Sequence, residues 1–333
     1  MSIKYSFVLP TYNRLSLLKE TLQSLLDQDF DRDIYEIIIV DDNSKDTTES
    51  YITKLVKSNT YPIIYHKNKK NQGVGYNRNY GIKLAHGDYI IQVEDDAKYP
   101  TNYLREIDQR IEKNTEISRG TLIILPRKTR NFDEGIVPKL VEFRRDAITN
   151  LTKVGKRSII GGWIFKKDLV KKVGGYKSLK IGEDTELVKR INQAGYGSFA
   201  LYSTFWWHYE PSSFRHFFKR MYRQGVSYKE YKEEFDPPIH FIHKLFWTGL
   251  LTLPFITLLG LPLIGGYSLL LPLAILLIIN IMNNEIRGMY SLMFKSKYSY
   301  LIPCIVIYHT LELYGILAGR ITRSLKEKQN FIY

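Results

Sequence analysis

The chain has 333 residues and a formal net charge of +14, which gives it room for two domains of ordinary size. A basic chain is compatible with nucleic acid, anionic lipid or phosphorylated substrates, but the sequence contains no nucleic-acid-binding motif, so we expect no nucleic-acid partner. The single cysteine, Cys304, excludes a framework of internal disulfide bonds and fits a reducing compartment.

The N-terminal part of the chain alternates between short apolar runs and helical segments. We predict strands at 4–10, 36–40 and 89–93, because these runs are short, apolar and rich in β-branched residues, and a helix at 15–28. Pro10 is expected to end the first strand, since proline has no backbone N–H to pair. Strands that alternate with helices indicate an α/β domain with a mainly parallel sheet.

Acidic residues follow two of the predicted strands. Asp42 comes soon after the strand at 36–40, and Glu94, Asp95 and Asp96 follow the strand at 89–93. In open α/β sheets ligands bind beyond the carboxyl ends of the strands. Carboxylate oxygens at that edge suit Mg²⁺ or Mn²⁺, which bridges the protein to substrate phosphates. A solvated acidic loop without an ion is the alternative for this run considered alone.

The sequence changes in character after residue 210. Between Phe214 and Gly225, apolar residues recur at helical spacing among basic ones, which is typical of an amphipathic helix lying at a membrane surface. A helix packed on the preceding domain, with a solvated basic edge, is the alternative. We assign this amphipathic helix and its linker to residues 211–240.

Residues 241–333 are predicted to form a membrane region with two or three transmembrane helices. From Leu245 to Asn284 there is no Asp, Glu, Lys or Arg, which is enough for two spans folded as a hairpin. A third apolar stretch, 300–319, is interrupted by His309 and Glu312.

Lysine and arginine residues lie on both sides of the predicted hairpin and also follow the third stretch. Because these residues favour the cytoplasmic side, we expect a multi-pass protein of the cell membrane or an endomembrane with its N-terminal domain in the cytoplasm. Three full spans would violate this preference at one point. The third stretch is therefore re-entrant or interfacial, or else the tail lies outside.

Five segments resemble family 2 glycosyltransferases of the GT-A fold. They occur in the order of that family and cover about the first 210 residues, and they read FVLPTYNR at 7–14, IIIVDDNSKDTT at 37–48, NQGVGYNRNYG at 71–81, GDYIIQVEDDAKYP at 87–100 and IGEDTELVKRINQAGY at 181–196. The resemblance implies a GT-A catalytic domain at 1–210 that binds a UDP- or GDP-linked sugar. The QxxRW motif of processive synthases is absent, which favours the transfer of a single sugar.

The same resemblance implies roles for individual residues. Asp96 resembles the direct metal ligand, and His208 is a second candidate whose alternative is a structural role. Asp184 resembles the catalytic base, with Glu183 beside it as a second catalytic candidate. Glu94 departs mildly from the family, in which Asp is usual at this position. The implied donor-binding set is Pro10, Thr11, Tyr12, Asn13, Asp42, Asn71, Gly73, Arg78, Glu94, Asp95 and Trp163.

Together these features predict a membrane-bound, Mg²⁺- or Mn²⁺-dependent inverting hexosyltransferase. It moves one sugar from a nucleotide-sugar donor to a lipid-linked or other membrane-presented acceptor, because the membrane segments directly follow the site. Two alternatives stay open. One is a polyprenyl-phosphate glycosyltransferase of the dolichyl-phosphate sugar synthase type, and the other is a membrane nucleotidyltransferase or phosphotransferase that uses the same acidic edge.

Overall fold

The computed structural model describes residues 3–58, 62–113, 122–124, 127–151, 162–179, 182–227 and 284–329. The chain divides into two compact units, of which the first combines residues 1–132 with 152–210 and the second combines 133–151 with 211–333. The predicted membrane hairpin, from Leu245 to Asn284, lies outside the described residues except for Asn284.

The strands all belong to the first unit. Within the described residues they are β1 (Tyr5–Thr11), β2 (Tyr35–Asp41), β3 (Ile63–Lys67), β4 (Tyr89–Gln92), β5 (Ala97–Lys98), β6 (Leu122–Ile124), β7 (Arg127–Thr129), β8 (Trp163–Lys166), β9 (Ser198–Ala200) and β10 (Trp206–His208). Seven of them form a sheet of order β3-β2-β1-β4-β8-β6-β9, and the other three form a small sheet of order β5-β10-β7. In the large sheet β3, β2, β1 and β4 are parallel neighbours, whereas β8 is antiparallel to β4 and β6.

The helices are divided between the two units. In chain order they are α1 (Leu15–Leu26), α2 (Thr48–Lys57), α3 (Val74–Leu84), α4 (Tyr103–Lys113), α5 (Ile136–Leu151), α6 (Lys167–Lys172), α7 (Glu183–Gln193), α8 (Phe214–Val226), α9 (Asn284–Phe294) and α10 (Ile302–Gln329). Helix α5 belongs to the second unit together with α8, α9 and α10, and the other helices belong to the first.

Alternate residues of the central strands pack on opposite faces of the large sheet, as the two-residue period of a strand requires. Phe7 and Leu9 of β1 join a core cluster with Leu18 of α1, whereas Val8 joins a second cluster with Ile82 of α3. Because helices cover both faces, the strands are continuously apolar. The predicted α/β fold with a mainly parallel sheet is confirmed.

Pro10 does not end the first strand, and in this detail the sequence prediction is wrong. Strand β1 continues to Thr11, and Pro10 lies opposite Val40 of β2. Pairing between β1 and β4 stops earlier, at Val8 and Gln92. No partner on the β4 side therefore requires the N–H that proline lacks.

The second unit is a group of helices with its own apolar core. Helix α8 corresponds to the predicted amphipathic helix, and α10 contains the third predicted apolar stretch. Within the described residues, the segment Ser299–Arg323 is the one helix that is long and apolar enough, by length and composition, to cross a membrane. Core residues from all four helices include Val137, Leu140, Phe217, Met221, Met289, Met293, Ile305 and Tyr308.

Candidate active site

The carboxyl ends of β1, β2 and β4 place several predicted donor-binding residues at one edge of the sheet, because these strands are parallel neighbours. Thr11 ends β1, and its Oγ1 donates a 2.9 Å hydrogen bond to Oδ2 of Asp95. Asn13 has φ of 51°, and its Oδ1 accepts a 2.7 Å hydrogen bond from the N–H of Lys45. The N–H of Asn13 in turn donates to Oγ of Ser44 at 2.9 Å, so the loops after β1 and β2 are tied together.

Asp42 is buried, and its carboxylate holds the loop that precedes α3. Oδ1 accepts hydrogen bonds from the N–H of Gln72 at 2.7 Å and from Nδ2 of Asn68 at 2.9 Å, and Oδ2 accepts one from the N–H of Gly73 at 2.9 Å. Gly73 caps α3 with φ of 86°, a left-handed conformation that glycine adopts without steric cost, and the neighbouring Asn71 is exposed. A carboxylate has about four acceptor positions, so Asp42 retains capacity for a further donor.

His208 reaches the acidic run because β10 pairs with β5, which follows that run directly. In this antiparallel pair His208 lies opposite Ala97. Its Nε2 is 3.1 Å from Oε2 of Glu94 and 3.3 Å from Oδ1 of Asp96. One possible ligand atom from each of the three side chains lies within 4.8 Å of the other two. Two carboxylates and an imidazole suit Mn²⁺, and carboxylates also suit Mg²⁺, so these residues fit a divalent cation.

Opposite charges surround this cluster. Burial lowers the pKa of His208, but the carboxylates of Asp96, Glu210 and Glu94 outweigh burial and raise that pKa to about 9. Burial raises the pKa of Glu94, yet the hydrogen bond and charge of His208, followed by the charges of Arg127 and Arg78, lower it to about 2. Since a histidine binds metal only as the neutral imidazole, cation binding requires His208 to release the Nε2 proton.

Arg14 is a site residue that the sequence analysis missed. Its Nη1 lies 3.1 Å from Oδ1 of Asp95 and 2.8 Å from Oδ2 of Asp96. Burial raises the pKa of Asp95 to about 6, although the positive charge of Arg14 acts in the opposite direction. The available signal was a cation placed just after the first strand, in a chain whose parallel topology brings the ends of β1 and β4 together.

A buried ion pair joins α3 to the N-terminus of α7. Arg78 donates through Nη1 to Oε1 of Glu183, and its guanidinium carbon lies 5.4 Å from the ring centroid of Tyr176. Asp184, the next residue of α7, is partly exposed. Burial raises the pKa of Glu183, Arg78 lowers it, and the charges of Asp184 and Glu94 add to the increase, so the start of α7 and the acidic cluster act on each other electrostatically.

The predicted site residues differ in how they are placed. Contacts connect Thr11 with Asp95, Glu94 and Asp96 with His208, Asp42 with Gly73, and Arg78 with Glu183. Tyr12 is 45% exposed beside Thr11, whereas Trp163, at the start of β8, is only 2% exposed and packs in the second core cluster. Trp163 therefore lines the core beneath the site in this structure.

The topology and the site together define the GT-A class of glycosyltransferases. Four parallel strands present a carboxylate-held loop after β2 and a carboxylate–histidine cluster after β4. Residues 6–174, just over half of the chain, match the family model Glycosyl transferase family 2. The chain therefore belongs to glycosyl transferase family 2.

Curated relatives match parts of the chain. An uncharacterized glycosyltransferase of Haemophilus influenzae is 29% identical over 196 residues, which are 56% of this chain and 62% of the relative. The GalNAc(5)-diNAcBac-PP-undecaprenol beta-1,3-glucosyltransferase of Campylobacter jejuni is 31% identical over 121 residues, 36% of this chain and 38% of the relative. The chain spans less than two thirds of the length of these relatives.

A solved structure supports the fold. The mannosyltransferase PcManGT from Pyrobaculum calidifontis, in complex with GDP-Man and Mn²⁺, superposes with a TM-score of 0.60. The superposition covers 97% of this chain and 87% of that chain, at 16% sequence identity. At this level of identity the likeness establishes a shared fold.

Proposed function

We propose that this glycosyltransferase is metal-dependent and inverting, and that it moves a single sugar from a UDP- or GDP-linked donor to a lipid-linked acceptor at a membrane. The observation that carries the proposal is the cluster of Glu94, Asp96 and His208 within 4.8 Å of one another, electrostatically linked through Arg78 to the α7 end that carries Asp184. The complex of the Pyrobaculum protein with GDP-Man and Mn²⁺ supports a nucleotide-sugar donor and a divalent cation.

The chain offers separate groups for the two ends of the donor. For the nucleoside end, the proposed contacts lie at the end of β1; they are Pro10, Thr11, Tyr12 and Asn13. Asp42 retains one acceptor position, which we assign to a nucleobase N–H. Asp96, Glu94 and His208 would hold a divalent cation (Mn²⁺ or Mg²⁺), which would supply positive charge against the charge of the departing diphosphate. Arg14 lies next to the same carboxylates and can donate to diphosphate oxygens.

Asp184 is the proposed general base. It lies in the first turn of α7, where the helix dipole favours the ionised carboxylate, and it is more exposed than Glu183. The acceptor oxygen forms a bond to the anomeric carbon from the face opposite the diphosphate, while its proton moves to Asp184. The bond from the anomeric carbon to the diphosphate oxygen breaks, and its electron pair leaves with the nucleoside diphosphate. Attack from that face inverts the anomeric configuration.

Glu183 has a different proposed role from the catalytic one that the resemblance implied. Its carboxylate is engaged by Arg78 and is buried, so it is poorly placed to exchange a proton with an acceptor. We assign Glu183 to fixing the start of α7, and Asp184 to proton transfer.

The membrane part of the proposal rests on sequence and on relatives. We retain a catalytic domain at 1–210, an amphipathic helix and linker at 211–240 and a membrane region at 241–333. The Campylobacter relative is named for an undecaprenol-linked substrate, which supports a lipid-linked acceptor. A relative from Pyrococcus furiosus, 29% identical over 130 residues, is a dolichol-phosphate mannosyltransferase, which keeps a polyprenyl phosphate as the second candidate acceptor.

The Asp184→Asn variant tests the choice of acceptor. For a hydroxyl acceptor we expect turnover to fall at least about a hundredfold, because the base is lost, with little change in donor affinity. Asp168→Asn is the matched control, since Asp168 is an exposed carboxylate in the first turn of α6, and turnover should remain normal. Near-normal turnover of Asp184→Asn would instead select an acceptor that is already ionised, such as a polyprenyl phosphate.

The reaction class is tested by product analysis of membranes incubated with labelled UDP- and GDP-sugars. A single-sugar transferase releases a nucleoside diphosphate and leaves the labelled sugar in the lipid extract. Transfer of the nucleotide or of a phosphoryl group to the lipid would reject the proposal.

A further inference from the structure

Helix α8 runs alongside the middle of α10, in the same direction. The ring of Phe217 stacks on that of Tyr308, with centroids 4.3 Å apart and an interplanar angle of 22°. Further along, Gly319 packs against the backbone oxygen of Tyr222, and Nη1 of Arg323 donates a 3.0 Å hydrogen bond to the carbonyl oxygen of Val226. The contacts advance together along both helices, so α8 accompanies α10 from residue 308 to residue 323.

Glycines allow this close approach. A Cβ at Gly225 would collide with the backbone oxygen of Ile316, and a Cβ at Gly319 would collide with that of Tyr222. Gly315 is equally confined, since its Cβ would lie 2.8 Å from Cβ of Met221. Gly315 and Gly319 form a GxxxG pattern, which brings helix backbones together. The two helices therefore form one tightly packed pair, and any location assigned to α10 also applies to α8.

Helix α8 carries charges along its outer face. We call Arg215, Lys219 and Arg223 the basic edge; all three are exposed, as is the neighbouring Arg220. If α10 crossed a bilayer through its middle, most of the basic edge would lie at hydrocarbon depth, where charged side chains are expensive. The pairing with α8 thus disfavours a transmembrane position for α10.

A second charged helix contacts the middle of α10. Arg144 of α5 forms an ion pair with Glu312 through Nη1 and Oε1, and α5 also carries Arg145 and Glu142, which pair at 2.7 Å. If α10 spanned a bilayer, these charged side chains would also lie within the membrane. Two of the described helices that pack against α10 are therefore of the kind found outside the hydrocarbon core.

The remaining face of α10 is apolar. Seven residues recur every three or four positions and are each partly or fully exposed. This spacing places them on one side of the helix. We call this set the apolar stripe; it consists of Tyr300, in the turn just before α10, and of Cys304, Ile307, Leu311, Tyr314, Ala318 and Ile321 of α10.

The apolar stripe adjoins the basic edge. Leu311 of the stripe lines a groove together with Phe218 and Tyr222 of α8, and Arg215 and Lys219 of the basic edge lie on the same groove. An apolar face flanked by arginine and lysine matches the boundary between acyl chains and anionic headgroups. The distribution of basic residues along the sequence agrees with this match to a membrane surface. Lys295 and Lys297 precede α10, and four basic residues lie at or after the end of its apolar part: Arg320, Arg323, Lys326 and Lys328. Both ends thus favour the cytoplasmic side.

We propose that α10 lies in the plane of an anionic membrane surface instead of crossing the bilayer. The apolar stripe rests at the acyl boundary and the basic edge contacts lipid phosphates. This inference rests on the membrane association proposed above, but it is independent of the glycosyl-transfer mechanism. Its tests use labelling and lipid contact, so an inactive enzyme would leave their outcome unchanged.

Cysteine accessibility tests the topology, because Cys304 is the single cysteine of the chain. In a Cys304→Ala background, Ser299→Cys and Lys328→Cys mark the two ends of α10, and Lys70→Cys, an exposed position of the first unit, marks the catalytic side. A membrane-impermeant maleimide should label all three sites from the same face of sealed vesicles. Labelling of Ser299→Cys and Lys328→Cys from opposite faces would overturn the proposal.

Fluorophore depth tests the orientation. In the same background, a fluorophore on Tyr300→Cys, Ile307→Cys or Ile321→Cys is exposed to lipids that carry nitroxides at shallow or deep acyl positions. A helix in the plane gives similar quenching at all three sites, strongest with the shallow nitroxide. Deep quenching at Ile307→Cys with shallow quenching at the other two indicates a span, and absence of quenching indicates a protein partner on the stripe; either result contradicts the proposal.

The role of the basic edge is tested by the combined variant Arg215→Gln, Lys219→Gln and Arg223→Gln. Fluorophore quenching at Ile307→Cys should become weaker in vesicles with phosphatidylglycerol and should lose its sensitivity to added salt. The matched control is Gln224→Ala, an exposed change on the same helix that removes no charge. Unchanged quenching in the triple variant would reject lipid phosphates as the ligands of this edge.

Discussion

Asp95 and Asp96 are neighbours in the chain, yet they face different partners. Asp95 accepts a hydrogen bond from Thr11, whereas Asp96 lies 3.3 Å from His208. Arg14 contacts both carboxylates. The two carboxylates thus share Arg14 but differ in their second partner. The two residues therefore provide a matched pair for locating a cation.

We expect Asp96→Asn to weaken Mn²⁺ binding strongly and Asp95→Asn to weaken it little. Loss of one carboxylate ligand, or of its support, typically costs about 10- to 100-fold in metal affinity. The measurement is electron paramagnetic resonance of free Mn²⁺ during titration of the full chain, which needs no turnover. Equal affinities in the two variants would remove Asp96 from the metal site.

The Arg78–Glu183 pair should be important for stability. Removing one partner of a buried ion pair costs about 3–5 kcal/mol, because the other charge stays buried and unpaired. Glu183→Gln is therefore expected to lower the free energy of unfolding far more than Glu49→Gln, which breaks the solvent-screened pair with Lys67 and should have little effect. Urea unfolding of both variants measures the two losses in unfolding free energy. Equal losses would mean that the buried pair contributes no more to stability than the exposed pair.

The structure brings several of the predicted site residues into contact, but sequence reasoning predicted few of these contacts. The acidic run was a candidate because carboxylates at a strand end suit a cation, and His208 was a candidate through the family resemblance. Arg14 was missed, and Arg78, predicted to bind the donor, forms an ion pair with Glu183. Such pairings join residues far apart in the chain, and no local pattern encodes them.

At the scale of elements, apolar runs were reliable predictors of the central strands. Their boundaries agree with β1, β2 and β4 to within one residue. Pro10 misled because the rule for proline depends on which neighbour a strand has at that residue, and this is a tertiary property. Helix α5 lies in sequence within the first 210 residues but packs with α9 in the second unit, which again no local pattern reveals.

The close packing of α8 against α10 predicts that a Gly→Ala change there has the opposite of its usual effect on stability. In a helix interior, Gly→Ala normally stabilises by about 0.5–1 kcal/mol. At Gly225 the added methyl would collide with the backbone of Ile316, so Gly225→Ala should lower the melting temperature. Gln224→Ala, on the exposed face next to it, is the control and should leave the melting temperature nearly unchanged. A rise in melting temperature for Gly225→Ala would show that the two backbones are further apart.

At the scale of the whole molecule, donor and cation should stabilise the chain jointly. A ligand present at about 100 times its Kd adds about 2.7 kcal/mol to the stability of the state that binds it. We expect UDP or GDP to raise the apparent melting temperature with Mn²⁺ present and much less with EDTA. The Asp96→Asn variant should abolish this difference, and an equal shift with EDTA would argue against a cation-dependent donor site.

The order of the segments was enough to predict the parallel half of the sheet, because strands alternating with helices permit few other arrangements. The insertion of antiparallel β8 and the pairing of β10 with β5 were not predicted, since short strands at distant positions give no periodic signal. That pairing nonetheless delivers His208 to the acidic run. Long-range strand pairing thus completes the candidate metal site.

The ties between the loops that follow β1 and β2 have a kinetic consequence. Asn13, Ser44 and Lys45 hold these loops to each other, and Asp42 anchors the segment at Gly73, through hydrogen bonds within the chain. Because these hydrogen bonds need no donor as a partner, we expect donor capture at the proposed nucleoside end to freeze few additional torsions. Mixing the enzyme with a fluorescent nucleotide should accordingly give one exponential whose observed rate rises linearly with concentration, with no plateau from a preceding rearrangement.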